Sequence, residues 1–192
     1  MDVTKRDKAL RAARDTFLRY GYKRVTMNDI AEATGISRPA LYLVFESKEE
    51  IFKSVYEHFV KETLIEIESR LGQLKIPEEK LRVAFELWTV RPFELMRASS
   101  EAAELLESTF GFAQDSVNQG YRSFEKILLP VLKSHPKFQS AKTKVSAEKT
   151  AHILSGAVRG FKIAAKDAPE IRSLIKDLLI LLLDDQSHSE RE

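Results

Sequence analysis

Apolar side chains recur every three or four residues along most of this chain, which is the spacing of an amphipathic helix. Leu10, Ala13 and Phe17 mark the first such helix, and Gly21 ends it. No segment alternates apolar and polar residues as a half-buried strand does. The chain is therefore predicted to be all-α.

Three further helix starts follow within the first fifty residues. Residues that can cap a helix N-terminus stand at Thr26, Ser37 and Ser47. Thr26 and Ser47 each precede an acidic residue by three positions, which is the spacing of a capping box. Gly35 ends the second helix only two residues before Ser37. This pattern predicts two short helices that meet at a tight glycine turn, as in a helix-turn-helix.

Longer helices are predicted in the rest of the chain. Prolines, among them Pro92 and Pro130, are expected to mark breaks, kinks or starts. We expect a three-helix head over 1–47, a helical bundle over 48–186 and a polar tail over 187–192. The apolar periodicity predicts helices over 78–90, 93–109, 112–132, 146–166 and 169–183.

Composition excludes several kinds of chemistry. The chain has no cysteine, which excludes disulfides, thiolate metal sites and thiol nucleophiles. The longest apolar run, 178–183, is too short to span a bilayer, and the N-terminal residues lack the apolar core of a secretory signal. We therefore expect a cytoplasmic protein with no membrane partner, and we expect no cofactor and no metal.

Charge is distributed unevenly along the chain. Through Lys48 there are ten basic and six acidic residues, whereas the remainder carries a small acidic excess. A basic head on a slightly acidic body indicates a nucleic-acid partner for the head.

The exposed start of the predicted third helix carries side chains that suit DNA. Arg38 can read guanine with two hydrogen bonds, and Ala40 is small enough to contact a thymine methyl group. Tyr42 and Lys48 can bind phosphate oxygens, as can the hydroxyl groups of the two capping residues. The candidate DNA-binding residues are Thr26, Ser37, Arg38, Pro39, Ala40, Tyr42 and Lys48.

Several of these residues also have a purely structural interpretation, and Arg38 could contact a phosphate instead of a base. Thr26 and Ser37 can serve as N-caps, a role that does not exclude DNA contact. Tyr42 could be a half-buried packing residue, and Lys48 could be an ordinary solvated charge.

One combination of residues in about the first sixty positions forms a specific pattern. It consists of Phe17, Gly21, Tyr22, Thr26, Ile30, Ala31, Gly35, Ile36, Ser37, Leu41, Tyr42, Phe45, Lys48, Glu49, Ile51 and Phe52. With this pattern the segment resembles the TetR family of transcriptional regulators. The resemblance implies that the residues matching Thr26, Ser37, Arg38, Ala40, Tyr42 and Lys48 face DNA. This chain departs from many members at Leu43 and Val44, where an aromatic residue or histidine is common, so no DNA contact is assigned there.

A dimer is expected because one helix-turn-helix makes too few contacts to select a DNA site. The helix over 146–166 has two apolar faces, so one can face its own subunit and the other a partner. The resemblance implies that this helix and the last one build a four-helix dimer interface; the alternative is that both faces are core. The expected interface residues are Ile153, Gly156, Ala157, Gly160, Leu174, Leu178 and Leu181.

Aromatic residues are frequent in the middle of the chain, where members of the family often bind a small effector. Trp88, Met96, Tyr121 and Phe124 are the residues we expect to line such a site for a small apolar molecule. Aromatic residues at helical spacing also form ordinary cores, and the sequence leaves this alternative open.

The most economical function is a sequence-specific transcriptional regulator. We expect a repressor that binds a palindromic double-stranded operator as a homodimer and is released by a small effector. One alternative is a DNA-binding factor of the same fold without a small ligand, either nucleoid-associated or protein-responsive. The other is an all-α enzyme, but the four histidines are scattered and no catalytic motif is present, so we expect no enzymatic activity.

Overall fold

A computed structural model describes residues 5–107, 111–140 and 143–183, and every regular element in these ranges is helical. The prediction of an all-α chain is confirmed. The predicted polar tail over 187–192 lies outside the described residues. The helices are α1 (Lys5–Tyr20), α2 (Met27–Thr34), α3 (Arg38–Tyr42), α4 (Lys48–Leu71), α5 (Pro77–Phe85), α6 (Arg91–Arg97), α7 (Ser100–Glu107), α8 (Gln114–Ser134), α9 (Pro136–Gln139), α10 (Ala147–Ala164) and α11 (Ala168–Leu183).

The described chain divides into two compact units. The first contains the described residues up to Glu62 and those from Glu94 to Gly120. The second contains Thr63–Phe93 and the described residues from Tyr121 onward. Helices α4 and α8 each continue from one unit into the other. The division into domains over 1–47 and 48–186 stays a prediction.

Local capping defines α2. The Thr26 hydroxyl accepts from the Asp29 N–H, and the Asp29 carboxylate accepts from the Thr26 N–H, so the predicted capping box is complete. Gly35 ends the helix in the left-handed conformation, with φ of 69°. Its N–H donates to carbonyl groups of the last turn. Sequence signals alone therefore place both ends of α2.

The start of α3 also follows the predicted signal. Ser37 has extended backbone, and its hydroxyl accepts from the Ala40 N–H at 3.3 Å. Pro39 occupies the first helical turn, where a missing N–H costs nothing. The short α3 buries only Leu41, so most of its surface stays exposed. This arrangement of α2, turn and α3 is a helix-turn-helix.

Aromatic rings hold the first unit together. Phe17 at the end of α1 and Tyr22 in the following turn have ring centroids 5.6 Å apart. Phe52 of α4 meets both of them edge-on, at 5.6 Å and 5.1 Å. Phe112 packs against Tyr22 and Phe52. The unit therefore has one continuous apolar core beneath the helix-turn-helix.

The prediction of separate helices over 78–90 and 93–109 is wrong. The chain stays helical from Pro77 to Arg97 and breaks only before α7. A π-helical segment, Glu86–Val90, precedes Pro92; its wider turn relieves the clash that a proline ring makes with the carbonyl four residues earlier. Ser99 then ends the run, because its hydroxyl accepts from the Ala102 N–H and caps α7.

The last two helices have one buried and one exposed side. On α10, Leu154 and Val158 are buried, and Ser146 caps the helix start. On α11, Ile171 and Ile175 are buried. The opposite sides of both helices stay open to solvent within this chain. In the described part of the chain, no helix is long and apolar enough to cross a membrane.

Gly35 offers a test of the turn between α2 and α3. A Cβ added there meets no atom within 4 Å, so substitution costs only backbone strain. Gly35→Ala should lower the free energy of unfolding by about 1 kcal/mol, because alanine avoids positive φ. Gly35→Asn is the control and should lower the free energy of unfolding less, since asparagine tolerates positive φ. Urea denaturation measures both; equal losses would contradict the strain argument.

Candidate nucleic-acid interface

The exposed face of α3 presents Arg38 and Tyr42 together. The Arg38 guanidinium lies 5.7 Å from the centroid of the Tyr42 ring, one helical turn away. Arg38 and Pro39 are exposed, and Tyr42 keeps 44% of its surface open. Ala40 is half-buried beside them. A cation and a phenol on the open side of a helix can bind base edges and phosphate oxygens.

The two capping residues differ in what they can still offer to DNA. The Thr26 hydroxyl donates to the Asp29 carboxylate at 2.8 Å, so its proton is already used. Hydrogen bonds from Thr26, first from its backbone and then from its side chain, lower the pKa of Asp29. The Ser37 hydroxyl only accepts, from Ala40, so its own proton is available for a phosphate.

Lys48 has a structural role that the sequence analysis did not identify. Its Nζ donates to the carbonyl oxygens of Tyr22 at 3.0 Å and Val25 at 2.9 Å. The ammonium also lies 4.4 Å from the centroid of the Tyr22 ring. The side chain is half-buried, so it is not the solvated charge of the structural alternative. An ammonium has three donors, and two of them here hold the turn between α1 and α2.

The same turn is fastened by Tyr22 and Glu49. The Tyr22 hydroxyl donates to the Glu49 carboxylate at 3.1 Å. Burial, together with this carboxylate, raises the pKa of Tyr22 above its usual range. The backbone N–H of Glu49 at the start of α4, helped by Ser47, Tyr22 and Lys48, lowers the pKa of Glu49. The carboxylate thus stays ionised and keeps the phenol in place.

Arg6 is a second positioning residue that the sequence analysis missed. Its guanidinium donates to the Val44 carbonyl at 3.4 Å and to the Ser54 hydroxyl at 3.1 Å. It also lies 4.5 Å from the centroid of the Phe45 ring. These contacts join α1 to the segment between α3 and α4. No spacing in the sequence relates residue 6 to residues 44 and 54.

The structure brings together three of the four expected effector residues. The Trp88 and Phe124 rings stack with centroids 4.6 Å apart, and Tyr121 meets Trp88 edge-on at 5.5 Å. Trp88 and Phe124 are buried, and Tyr121 is half-buried. Met96 belongs to the first unit, whereas the other three residues belong to the second. The aromatic set of the second unit is thus Trp88, Tyr121 and Phe124.

The expected dimer residues occupy the open sides of α10 and α11. Ile153, Gly156 and Gly160 are exposed, and Ala157 is half-buried. A Cβ added at either glycine would meet no atom within 4 Å, so a partner helix could approach closely there. On α11, Leu174 and Leu178 are half-buried and Leu181 is 72% exposed.

The ionisable residues offer little for metal chemistry. Among the described residues, no group of three or more histidines, aspartates and glutamates is arranged to hold a metal ion. His58 lies one turn from Glu62 along α4, with its buried Nε2 at 3.2 Å from the Glu62 carboxylate.

Part of the first unit is similar to a family of bacterial regulators. Residues 9–60 match the family described as bacterial regulatory proteins, tetR family. A relative from Escherichia coli (strain K12), the HTH-type transcriptional repressor ComR, is 35% identical over 69 residues. The match covers 36% of this chain and 33% of that repressor. The chain thus spans about a third of the length of this curated relative.

Solved structures extend the likeness to nearly the whole chain. A TetR transcription regulator from Haloarcula marismortui has a TM-score of 0.75 and 19% identity, covering 94% of this chain and 98% of its own. The regulator FadR from Bacillus subtilis, in complex with stearoyl-CoA, has a TM-score of 0.63 and 17% identity. The match covers 89% of this chain and 96% of the FadR chain. At these identities the likeness establishes the fold, an N-terminal helix-turn-helix domain followed by a helical domain.

The contacts of Lys48 predict a stability effect that is independent of DNA. Lys48→Ala should lower the free energy of unfolding by about 2 kcal/mol, because two partly buried carbonyl groups lose a charged donor. Arg38→Ala is the control and should change it by less than about 0.5 kcal/mol, since Arg38 is exposed. Urea denaturation of both variants is the measurement. Equal stability of the two would refute the structural role of Lys48.

Proposed function

We propose that this chain is a dimeric, sequence-specific repressor of transcription of the TetR family, a proposal supported by the family match over residues 9–60 and by the 35% identical repressor. In this proposal it binds a palindromic operator in the cytoplasm and leaves it when a small effector binds the second unit. The observation that carries the proposal is the helix-turn-helix, in which α3 exposes Arg38 and Tyr42 on a rigid frame.

The geometry of α3 supports base readout at its start. A recognition helix contacts bases with its N-terminal residues, and here these are Arg38, Pro39 and Ala40. We assign Arg38 to a guanine edge, Ala40 to a thymine methyl group, and Ser37 and Tyr42 to phosphates. Lys48 contributes its remaining N–H to a phosphate, while Thr26 acts chiefly by capping α2.

The open faces of α10 and α11 support the homodimer. Two glycines four residues apart on α10 permit close packing against a second helix, and Leu181 on α11 offers apolar surface to bury. Association through the last two helices would leave α3 of each protomer free for a half-site.

Control by a small effector is supported by the aromatic set of the second unit. Trp88, Tyr121 and Phe124 place large apolar surfaces side by side. Helix α4 runs without interruption from Lys48, in the first unit, to Leu71, in the second. An effector that binds one conformation better than another would shift the protein between DNA-competent and DNA-incompetent states.

The decisive experiment is selection of bound sequences from a random double-stranded DNA pool at near-physiological salt. A recovered palindrome supports a dimeric sequence-specific regulator and supplies the operator for a reporter assay, in which repression and activation are distinguished. Recovery of no motif would contradict the proposal and favour non-specific DNA binding or another activity.

Arg38 and Tyr42 should have different effects on the selected operator. Arg38→Ala should relax preference at one base pair per half-site, with a loss of about 1–3 kcal/mol of discrimination. Tyr42→Phe should weaken binding to every sequence by about tenfold or less, because it removes one hydrogen bond to phosphate. Competition assays with single-base operator variants measure both. Uniform weakening by Arg38→Ala would assign that residue to phosphate instead.

The proposed dimer face can be tested by placing a charge on it. Leu181→Glu should raise the dimer dissociation constant at least tenfold, which corresponds to about 1.4 kcal/mol, because a carboxylate would be buried at the interface. Ile65→Glu is a matched control, since Ile65 is 56% exposed and belongs to α4 and not to α10 or α11. Sedimentation equilibrium measures the dimer dissociation constant of both variants. An unaltered dissociation constant for Leu181→Glu would exclude this face as the dimer interface.

A further inference from the structure

The π-helical segment of the second unit leaves one carbonyl without its usual helical donor. In an α-helix the Trp88 carbonyl would accept from residue 92, but Pro92 has no N–H. The Lys162 ammonium of α10 donates to this oxygen instead, at 3.1 Å. Glu86–Val90 is a π-helical turn, and such turns are frequent at functional sites.

Two side-chain donors on the same segment have no acceptor. Trp88 is only 4% exposed, yet its indole Nε1–H finds no hydrogen-bond partner within the described chain. The hydroxyl of the fully buried Thr89 also lacks one there. A buried polar group without a partner is rare and destabilises the fold. An indole N–H can only donate, so the group it lacks is an acceptor.

Positive charge gathers beside the same indole ring. The Lys162 ammonium lies 5.8 Å from the centroid of the Trp88 ring and 5.7 Å from that of Tyr121. The Arg159 guanidinium, one turn earlier on α10, lies 5.2 Å from the Tyr121 ring. No carboxylate among the described residues pairs with Lys162. Burial, and secondarily the charge of Arg159, lowers the pKa of Lys162 to about 8.

The donors and positive charges beside Trp88 favour one kind of ligand. The Trp88 indole and the Lys162 ammonium are both donors, and Lys162 and Arg159 carry two positive charges at a site where no acid balances Lys162. A ligand that relieves both costs must be an anion and an acceptor. The rings of Trp88, Tyr121 and Phe124 offer apolar surface beside it.

We infer that Lys162, Arg159 and the Trp88 indole N–H bind the carboxylate of an effector whose apolar body lies against the aromatic set. The inference rests on the proposed effector-controlled function and names the class of effector, an organic monocarboxylate. Lys162 forms the ion pair and the indole N–H donates to the second carboxylate oxygen. Tyr121 holds the two cations on its ring face.

Trp88 is the only tryptophan of the chain, so its fluorescence reports this site directly. The purified full chain is titrated with octanoate, decanoate and phenylacetate, and separately with the corresponding alcohols. We expect a saturable change with at least one carboxylate and at least tenfold weaker binding of its alcohol. Equal affinity for acid and alcohol, or no saturable change with any of the three acids, would overturn the inference.

Lys162→Met tests the ion pair, with Lys166→Met as the matched control because Lys166 is exposed. The first should weaken carboxylate binding at least tenfold and leave alcohol binding unchanged, and the second should change neither. Arg159→Gln provides a second variant should Lys162→Met fail to fold, as judged by circular dichroism. Undiminished carboxylate affinity in the folded variants would show that the cations serve packing alone.

The pH dependence of binding distinguishes an ion pair from simple packing. Carboxylate affinity should be constant below pH 7 and fall about tenfold per unit above pH 8, since the ammonium of free Lys162 is lost there. Around it lie the guanidinium of Arg159, the phenol of Tyr121, whose pKa burial raises to about 12, and Glu86, which pairs with Arg172 of α11. Lys162→Arg should bind without this fall; a flat profile in the parent protein would contradict the inference.

Fluorescence titration involves no DNA, so it tests the carboxylate site independently of the proposed control of DNA binding. A carboxylate that binds at Trp88 but does not release the protein from its selected operator would refute effector control and leave the site intact. Release by a neutral or cationic molecule, with no carboxylate binding, would support effector control and overturn the anion site.

Discussion

The turn between α1 and α2 is the constraint on which the helix-turn-helix depends. Two main-chain carbonyls of this turn accept from the ammonium of Lys48 on α4, and Tyr22 donates to the neighbouring Glu49. Rings from α1 and α4 pack around Tyr22, so the turn is tied down by charge and by apolar contact together. Since α2 starts directly after the turn, its direction, and that of α3, follows from these contacts.

This frame separates the residues that build the domain from those that remain available to DNA. Thr26 and Lys48 spend most of their hydrogen-bonding capacity on the fold. Arg38 and Tyr42 are exposed on α3 and lie outside the buried core, so they can vary without disturbing it. Such a division lets one fold read many DNA sequences, because specificity changes on the surface of α3 while its support stays constant.

The second unit contains an irregular helical segment with polar groups buried beside it. Pro92 lies inside a helical run, and the π-helical segment before it leaves the Trp88 carbonyl to a lysine from another helix. Burial beside Arg159 lowers the pKa of Lys162, so its charged form is disfavoured there, and no carboxylate among the described residues pairs with it. Ligand binding accounts for the Lys162 ammonium and the Trp88 indole N–H at this place better than folding does.

The sequence by itself determined several features that depend on neighbours along the chain, although it missed the π-helical segment before Pro92. The capping box at Thr26, the left-handed Gly35 and the two-sided α10 were all predictable, because each arises within one or two helical turns. The tertiary structure alone decided that Lys48 holds the turn before α2, that Arg6 reaches Val44 and Ser54, and that Lys162 meets Trp88. Residues 6 and 54, or 88 and 162, meet only because separate helices pack together, and no local periodicity encodes such a contact.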